Sequence, residues 1–192
     1  VMQKDMTLPP YYAELGHAIP SGVKEELEIK VKTCVYRAIC ALGVNHGSVN
    51  MDLLITNGGN VHIIDIGARM GGNLIGSHIV PIGTGIDYMG NMIRAAVSDP
   101  TCWKPECQPR SVATKLLALT PGKVKELPDF DQISSKYDVQ IEHHLHVGDA
   151  ITPYRTNLDG CGYVVSCGYD VDNCIALATD VRKVIDESII RE

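Results

Sequence analysis

The 192-residue chain carries 17 Lys plus Arg against 23 Asp plus Glu, a formal charge of −6, with 45% hydrophobic and 21% charged residues. That balance excludes the sparse hydrophobicity of a disordered chain and the clustered cations of a nucleic-acid binder. No run reaches the 18 or more apolar residues of a membrane span, and no cationic segment followed by an apolar one opens the chain, so a cytoplasmic protein that engages neither membrane nor nucleic acid is expected.

Seven cysteines without a Cys-x-x-Cys pair read as reduced thiols rather than a disulfide or zinc framework. The chain opens on Val, and its first ten residues read as the middle of a longer polypeptide. Residues 11–19 alternate in part before Pro20, Ser21 and Gly22 interrupt them. Residues 23–42 then take up a helical period, with Leu27, Val31, Cys34, Val35, Ala38, Ile39 and Leu42 on one face. Ser21 is the expected N-cap of this helix and Gly43 its left-handed C-cap.

Two strands, 48–55 and 61–67, flank Asn57-Gly58-Gly59-Asn60, a hairpin signature. Residues 70–85 are glycine-punctuated and predict irregular chain or a short helix, and 87–97 a helix ended by Asp99-Pro100. Residues 101–109, with Cys102, Trp103, Cys107, Pro105 and Pro109, are a linker or lid candidate. Strands follow at 111–119 and 123–127, then a helix or loop to Tyr137, strands at 139–146 and 162–169, and a terminal helix over 171–190. The sum is an α+β chain, mainly antiparallel sheet flanked by helices.

The hairpin carries the chemistry. Val49, Met51, Leu53 and Ile55 share one face of its first strand, and Asn50 and Asp52 the other. In the second strand Asp65 and Gly67 alternate with Ile64 and Ile66, and the same alternation carries Arg69 to the side of Asp65. Neighbouring acids repel and resist burial, a cost that a divalent cation removes. Mg²⁺ or Mn²⁺ suits such oxygens, because Mg²⁺ takes only one or two protein carboxylates and fills its octahedron with phosphate and water. Asp52 and Asp65, with Arg69 and the Gly71-Gly72 backbone, thus make a phosphate-handling constellation; on spacing alone, two acids on a solvated sheet face remain the alternative. A second metal candidate is Glu142-His143-His144-Leu145-His146, where His144 and His146 would share a strand face, against plain solvated histidines. Ser48 and Cys34 lack a nucleophile's surroundings.

The run Asn50-Met51-Asp52 through Ile63-Ile64-Asp65-Ile66-Gly67-Ala68-Arg69-Met70-Gly71-Gly72, continued by Ile82-Gly83-Thr84-Gly85-Ile86-Asp87, resembles the C-terminal half of an ATP-grasp ligase. The nearest likeness is to the carboxylate-amine ligases, amino-acid ligases included. The approach from Tyr12 to Ser21 is similar to the strand before the long helix of that group, and weaker likeness continues through Pro121-Gly122-Lys123-Val124 and Gly162-Tyr163-Val164-Val165. The resemblance implies an ATP-grasp C-terminal lobe over 1–99, with a small α/β C-terminal subdomain over 110–192 packed on it. It implies ATP and Mg²⁺ (or Mn²⁺) as cofactors, Asp52 and Asp65 as metal ligands, Asn50 and Gly67 beside them in the cofactor site, and Arg69 as the catalytic residue. Gly71, Gly72, Asn73, His17 and Glu14 would face the substrates, a small-molecule carboxylate and an amine; a homodimer is compatible with it.

Two departures matter. Aspartates stand where the family has glutamates, and Gly67 where it often has an Asn ligand. The lysines and glycine-rich loop that cover ATP in the family lie upstream of anything in this sequence. Two expectations follow: a metal-bearing lobe that folds alone yet does not catalyse, belonging to a Mg²⁺-dependent ligase that makes an acyl phosphate, or else a degenerate lobe that serves as a binding or interaction module.

Overall fold

The computed structural model describes residues 1–192. Strands β1 (Gln3–Met6) and β2 (Glu14–Ile19) precede α1 (Glu25–Ala41), which leads to a hairpin of β3 (Asn50–Ile55) and β4 (Val61–Gly67). A π-helical segment, Ile75–Ile79, runs into α2 (Val80–Thr84), and α3 (Tyr88–Ala96) follows. Then come β5 (Ser111–Leu116), β6 (Gly122–Glu126), α4 (Phe130–Tyr137), β7 (Gln140–His143), β8 (Ala150–Ile151), a 3-10 turn at Asn157–Asp159, β9 (Gly162–Gly168), α5 (Val171–Ser188) and β10 (Ile190–Arg191). Every strand pair is antiparallel and helices flank the sheets, which is the expected α+β class. No helix is long and apolar enough to cross a membrane.

Contacts divide the chain into Ser21–Pro109 and a second unit of Met2–Pro20 with Arg110–Glu192. Residues 2–20 therefore group with the C-terminal part, whereas the expected lobe ran over 1–99. The cause is hydrogen bonding: β1 and β2 are strands of the same five-stranded sheet as β5, in the order β1-β2-β5-β9-β7. In this unit α5 lays Ala178, Val181 and Ile185 against Leu117 and Val164, all five wholly buried. A small sheet, β10-β6-β8, adds Val124 and Ile151 to the same core.

Local chemistry sets the helix ends. Beyond α1, Gly43 adopts φ +66°, its N–H donating to the Cys40 carbonyl and the Val44 N–H to Ile39, a Schellman closure at the expected glycine. The expected N-cap differs: Lys24 is the cap residue and makes no side-chain bond, while the Ser21 hydroxyl accepts from the Val23 N–H at 3.4 Å, closing the turn before the helix. Aspartates cap the next helices: Asp87, Asp129 and Asp170 accept from the N–H three residues on in α3, α4 and α5.

The other unit is organised around the hairpin. Asp52 faces Asp65, but its neighbour Leu53 faces Ile63, so Ile64 is an extra residue in β4. The bulge switches the face of everything before it. Strict alternation would put Ile63 and Val61 with Asp65; instead they face Leu53 and Ile55, and Met51, Leu53, Ile55, Val61, Ile63 and Ile66 make one half-buried apolar side. Ile63 lines a groove there with α1 residues such as Ile29, Cys34 and Ala38.

Candidate functional site

The opposite side of the hairpin is polar. Asn50 lies opposite Gly67 and Asp52 opposite Asp65, and directly opposed residues share a face with Cβ atoms about 5 Å apart. The four residues expected on one face are therefore together. Arg69 follows through a tight turn in which its N–H donates to the Gly67 carbonyl at 2.8 Å, and its guanidinium donates to the Met70 carbonyl at 2.8 Å. Its Cγ, Nε and Cζ lie 3.4, 3.6 and 3.8 Å from where a Gly67 Cβ would stand, so the guanidinium rests over the open glycine in space a longer side chain would contest.

Gly71 closes this corner. A Cβ on it would meet Asn50 Oδ1 at 2.8 Å and the Ile75 side chain at 2.9 Å, so only glycine lets the chain pass so close to Asn50. Gly72 is open, and Asn73 and Leu74 both take left-handed backbone, φ +50° and +61°. Left-handed leucine is strained, and it turns the chain into the π segment, where the Ile79 N–H donates to Leu74. The Thr84-Gly85-Ile86-Asp87 run has a plain structural account: Gly85 closes α2 at φ +74° and Asp87 opens α3, its carboxylate also holding Arg94 at 3.2 Å.

Glu14 and His17 belong to the sheet unit. His17 is buried, and its N–H donates to Thr114 Oγ1 at 3.2 Å. Glu14 is tied on all sides: Lys4 Nζ at 3.0 Å and Asn157 Nδ2 at 3.0 Å on its carboxylate, and the Tyr154 hydroxyl on its carbonyl. Burial, then the nearby Glu14 charge, pushes the Tyr154 phenol up to about 12. Nothing local in the sequence announced Tyr154 and Asn157, some 140 residues from their partner. Of the histidine run, all three rings are exposed, as in the solvated reading, but the strand stops short: β7 ends at His143, which stacks on Phe130 with ring centroids 3.8 Å apart, and the His146 N–H is held by Asp149 at 2.8 Å.

The donor set suits a hard cation. Two carboxylates opposed across a ladder, with an amide oxygen two pairs along on the same face and no third His, Cys, Asp or Glu joining them, match Mg²⁺ or Mn²⁺ completed by phosphate and water.

The fold has known counterparts. The chain is similar in structure to phosphoribosylglycinamide synthetase from Anaerococcus prevotii, at 23% identity and TM-score 0.78 over 100% of this chain and 48% of that one. It is similar to L-amino acid ligase from Bacillus licheniformis, at 22% identity and TM-score 0.82 over 97% and 48%. It also matches a biotin carboxylase β-γ-ATP complex from Campylobacter jejuni, at 16% identity and TM-score 0.67 over 98% and 42%. The chain thus spans less than half the length of each of these three structures, and at these identities the likeness is one of fold, the ATP-grasp fold. Within it, residues 115–187 match the family model described as L-amino acid ligase C-terminal domain 2. No curated protein sequence matches the chain.

Proposed function

We propose that the protein carrying this chain is a cytoplasmic, ATP- and Mg²⁺-dependent ligase that activates a small carboxylate as an acyl phosphate and joins it to an amine. The observation that carries this reading is the opposition of Asp52 and Asp65 on the polar face of β3–β4, with Arg69 beside them, in a chain of ATP-grasp fold. A divalent cation held by Asp52 and Asp65 would neutralise charge on the ATP β- and γ-phosphates. Arg69 stabilises the transferred phosphoryl group, for which its planar fork provides two parallel donors. The Gly71 and Gly72 backbone and the Asn73 amide orient the substrate carboxylate, Gly71 being where the chain passes too close to the Asn50 side chain for a Cβ. For Glu14 and His17 the substrate role rests on the resemblance alone.

The test starts with Mn²⁺ calorimetry on the chain. Asp52→Asn and Asp65→Asn should each weaken binding about tenfold or more, the loss of a charged ligand contact. In the full-length protein the same variants should stop Mg²⁺-dependent ADP release, and Arg69→Lys should lower turnover with little change in nucleotide affinity. Metal affinity equal in wild type and both variants sinks the reading and leaves the shortened acids as the mark of a non-catalytic binding lobe.

A further inference from the structure

We propose that the cavity at the C-terminal end of α3 is a binding site for an organic cation, an amine or guanidine carried on an apolar stem. The cavity measures about 740 Å³, within the range of small-molecule sites. It lies wholly within residues 21–109 and is independent of the ligase reading.

Four features of its lining favour positive charge. Asp99 is its one carboxylate, and no lysine or arginine lines it. Of the two cations adjacent in sequence to lining residues, Arg94 and Lys104, Arg94 is turned to Asp87 at 3.2 Å. The end of α3 opens here, with Ala95, Ser98 and Asp99 on the wall, and a helix C-terminus carries partial negative charge. His46 also lines the cavity; its Nε2 lies 3.2 Å from the Ala95 carbonyl, which can only accept, so in the neutral ring Nδ1 is left as a lone-pair acceptor. Finally, the rings of Tyr88 and Trp103 supply π faces that attract cations, while Ile39, Val49 and Met92 make an apolar bed for a stem.

The site is built before any ligand arrives. Ser98 holds φ +60°, its N–H donating to Ala95 at 3.2 Å and that of Asp99 to Arg94 at 2.8 Å, which fixes Asp99 at the lip. Trp103 is pinned through its Nε1 to Thr101 Oγ1 at 3.0 Å and meets Tyr88 edge-on at 6.3 Å. The preceding residue, Cys102, is gripped at both backbone groups by the buried Asn91 side chain, at 2.6 and 2.7 Å. A preorganised wall spares the ordering cost that a loose loop would impose on binding.

Trp103 is the single tryptophan of the chain, so its fluorescence reports this cavity alone. The experiment titrates the 192-residue protein with agmatine, with N-butylurea as a neutral comparator of similar stem, and with acetyl-Ala-Arg-Ala-amide. Agmatine should give a saturable change, confirmed by calorimetry, with N-butylurea binding about tenfold or more weaker and Asp99→Asn losing a similar factor for agmatine. The tripeptide against agmatine then tells whether the cation is a protein side chain or a free amine. No saturable change, equal response to the neutral probe, or unchanged affinity in Asp99→Asn each overturns the proposal. The charged-against-neutral comparison in wild type keeps the test independent of how the variant folds.

Discussion

The two units are stabilised by different means. Of the 22 buried apolar residues, 20 lie in the sheet unit and only Val31 and Ile79 in residues 21–109. The hairpin unit leaves Ile29, Tyr36, Leu42, Leu54, Ile64, Ile93 and Val97 each more than half exposed, and the one large polar side chain at 0% exposure is its Asn91. One region rests on apolar burial, the other on secondary structure, caps and a buried amide. The acids and glycines with candidate chemistry fall in the second, in keeping with the rule that functional segments come from the less stable parts of a fold.

The sharpest way to break this contrast is by cavity formation. Leu117→Ala, beneath α5, should cost about 2–5 kcal/mol, because its surroundings are closed by Val164, Val181 and Ile185. Leu54→Ala, at 54% exposure on the hairpin, should cost under about 0.5 kcal/mol. Chemical denaturation measures both, and hydrogen exchange should show amides of β5, β9 and α5 closing far more tightly than those of β3 and β4. Equal protection in the two units would mean that the contrast in burial has no energetic counterpart.

A smaller effect probes the polar pin. Asn91 Nδ2 donates to the carbonyls of Asp87 and Cys102, and Oδ1 accepts from the Cys102 N–H. Asn91→Ala removes all three bonds and should cost about 1–3 kcal/mol, since only part of what it strands can turn to water. It should also free the Trp103 segment, seen as a red shift in fluorescence. An unshifted emission maximum would show that Thr101 and Tyr88 hold Trp103 without help.

These comparisons also explain how much could be read in the sequence. The alternation within each strand, which groups Asn50 with Asp52 and Asp65 with Gly67, was legible, but the register set at the turn would place Asp65 opposite Met51, and it is the bulge that brings it opposite Asp52. The bulge at Ile64 was not legible, since an isoleucine in a run of isoleucines gives no local sign of the slip; only the need to bring Val61 and Ile63 beside Leu53 and Ile55 accounts for it. The long helices were legible from their periods, but β1, β8 and β10 are two to four residues long, and β8 and β10 exist only through their pairing with β6, well away along the chain. For the same reason residues 2–20 join the sheet unit: pairing of β2 with β5, about a hundred residues on, leaves no mark within either strand. The clasp of Tyr154 and Asn157 on Glu14 is equally non-local. The aspartate caps are the opposite case, local signals standing in plain sight at Asp87, Asp129 and Asp170.

The smallest effect expected is a pH dependence belonging to the sheet unit alone. His143 stacks on Phe130 at 3.8 Å, and burial, then the neighbouring His146 and His144, hold its pKa below the ordinary value of 6.5, against the opposing pull of Glu142 and Asp131. A histidine with a depressed folded pKa takes up its proton more readily when unfolded, so the unfolded state gains on acidification. The contribution is therefore complete above pH 6.5 and is lost as the pH falls through the folded-state value. Stability should drop between pH 7.5 and 5 by a component that His143→Gln removes, and Phe130→Ala should return the pKa of His143 toward its ordinary value in an NMR titration. Because α4 begins at Phe130, the loss should appear first as faster exchange in α4 and leave β3 and β4 unaffected. Acid-induced loosening of the hairpin at the same pH, or a His143 pKa above 6.5, would remove this ring pair as the cause.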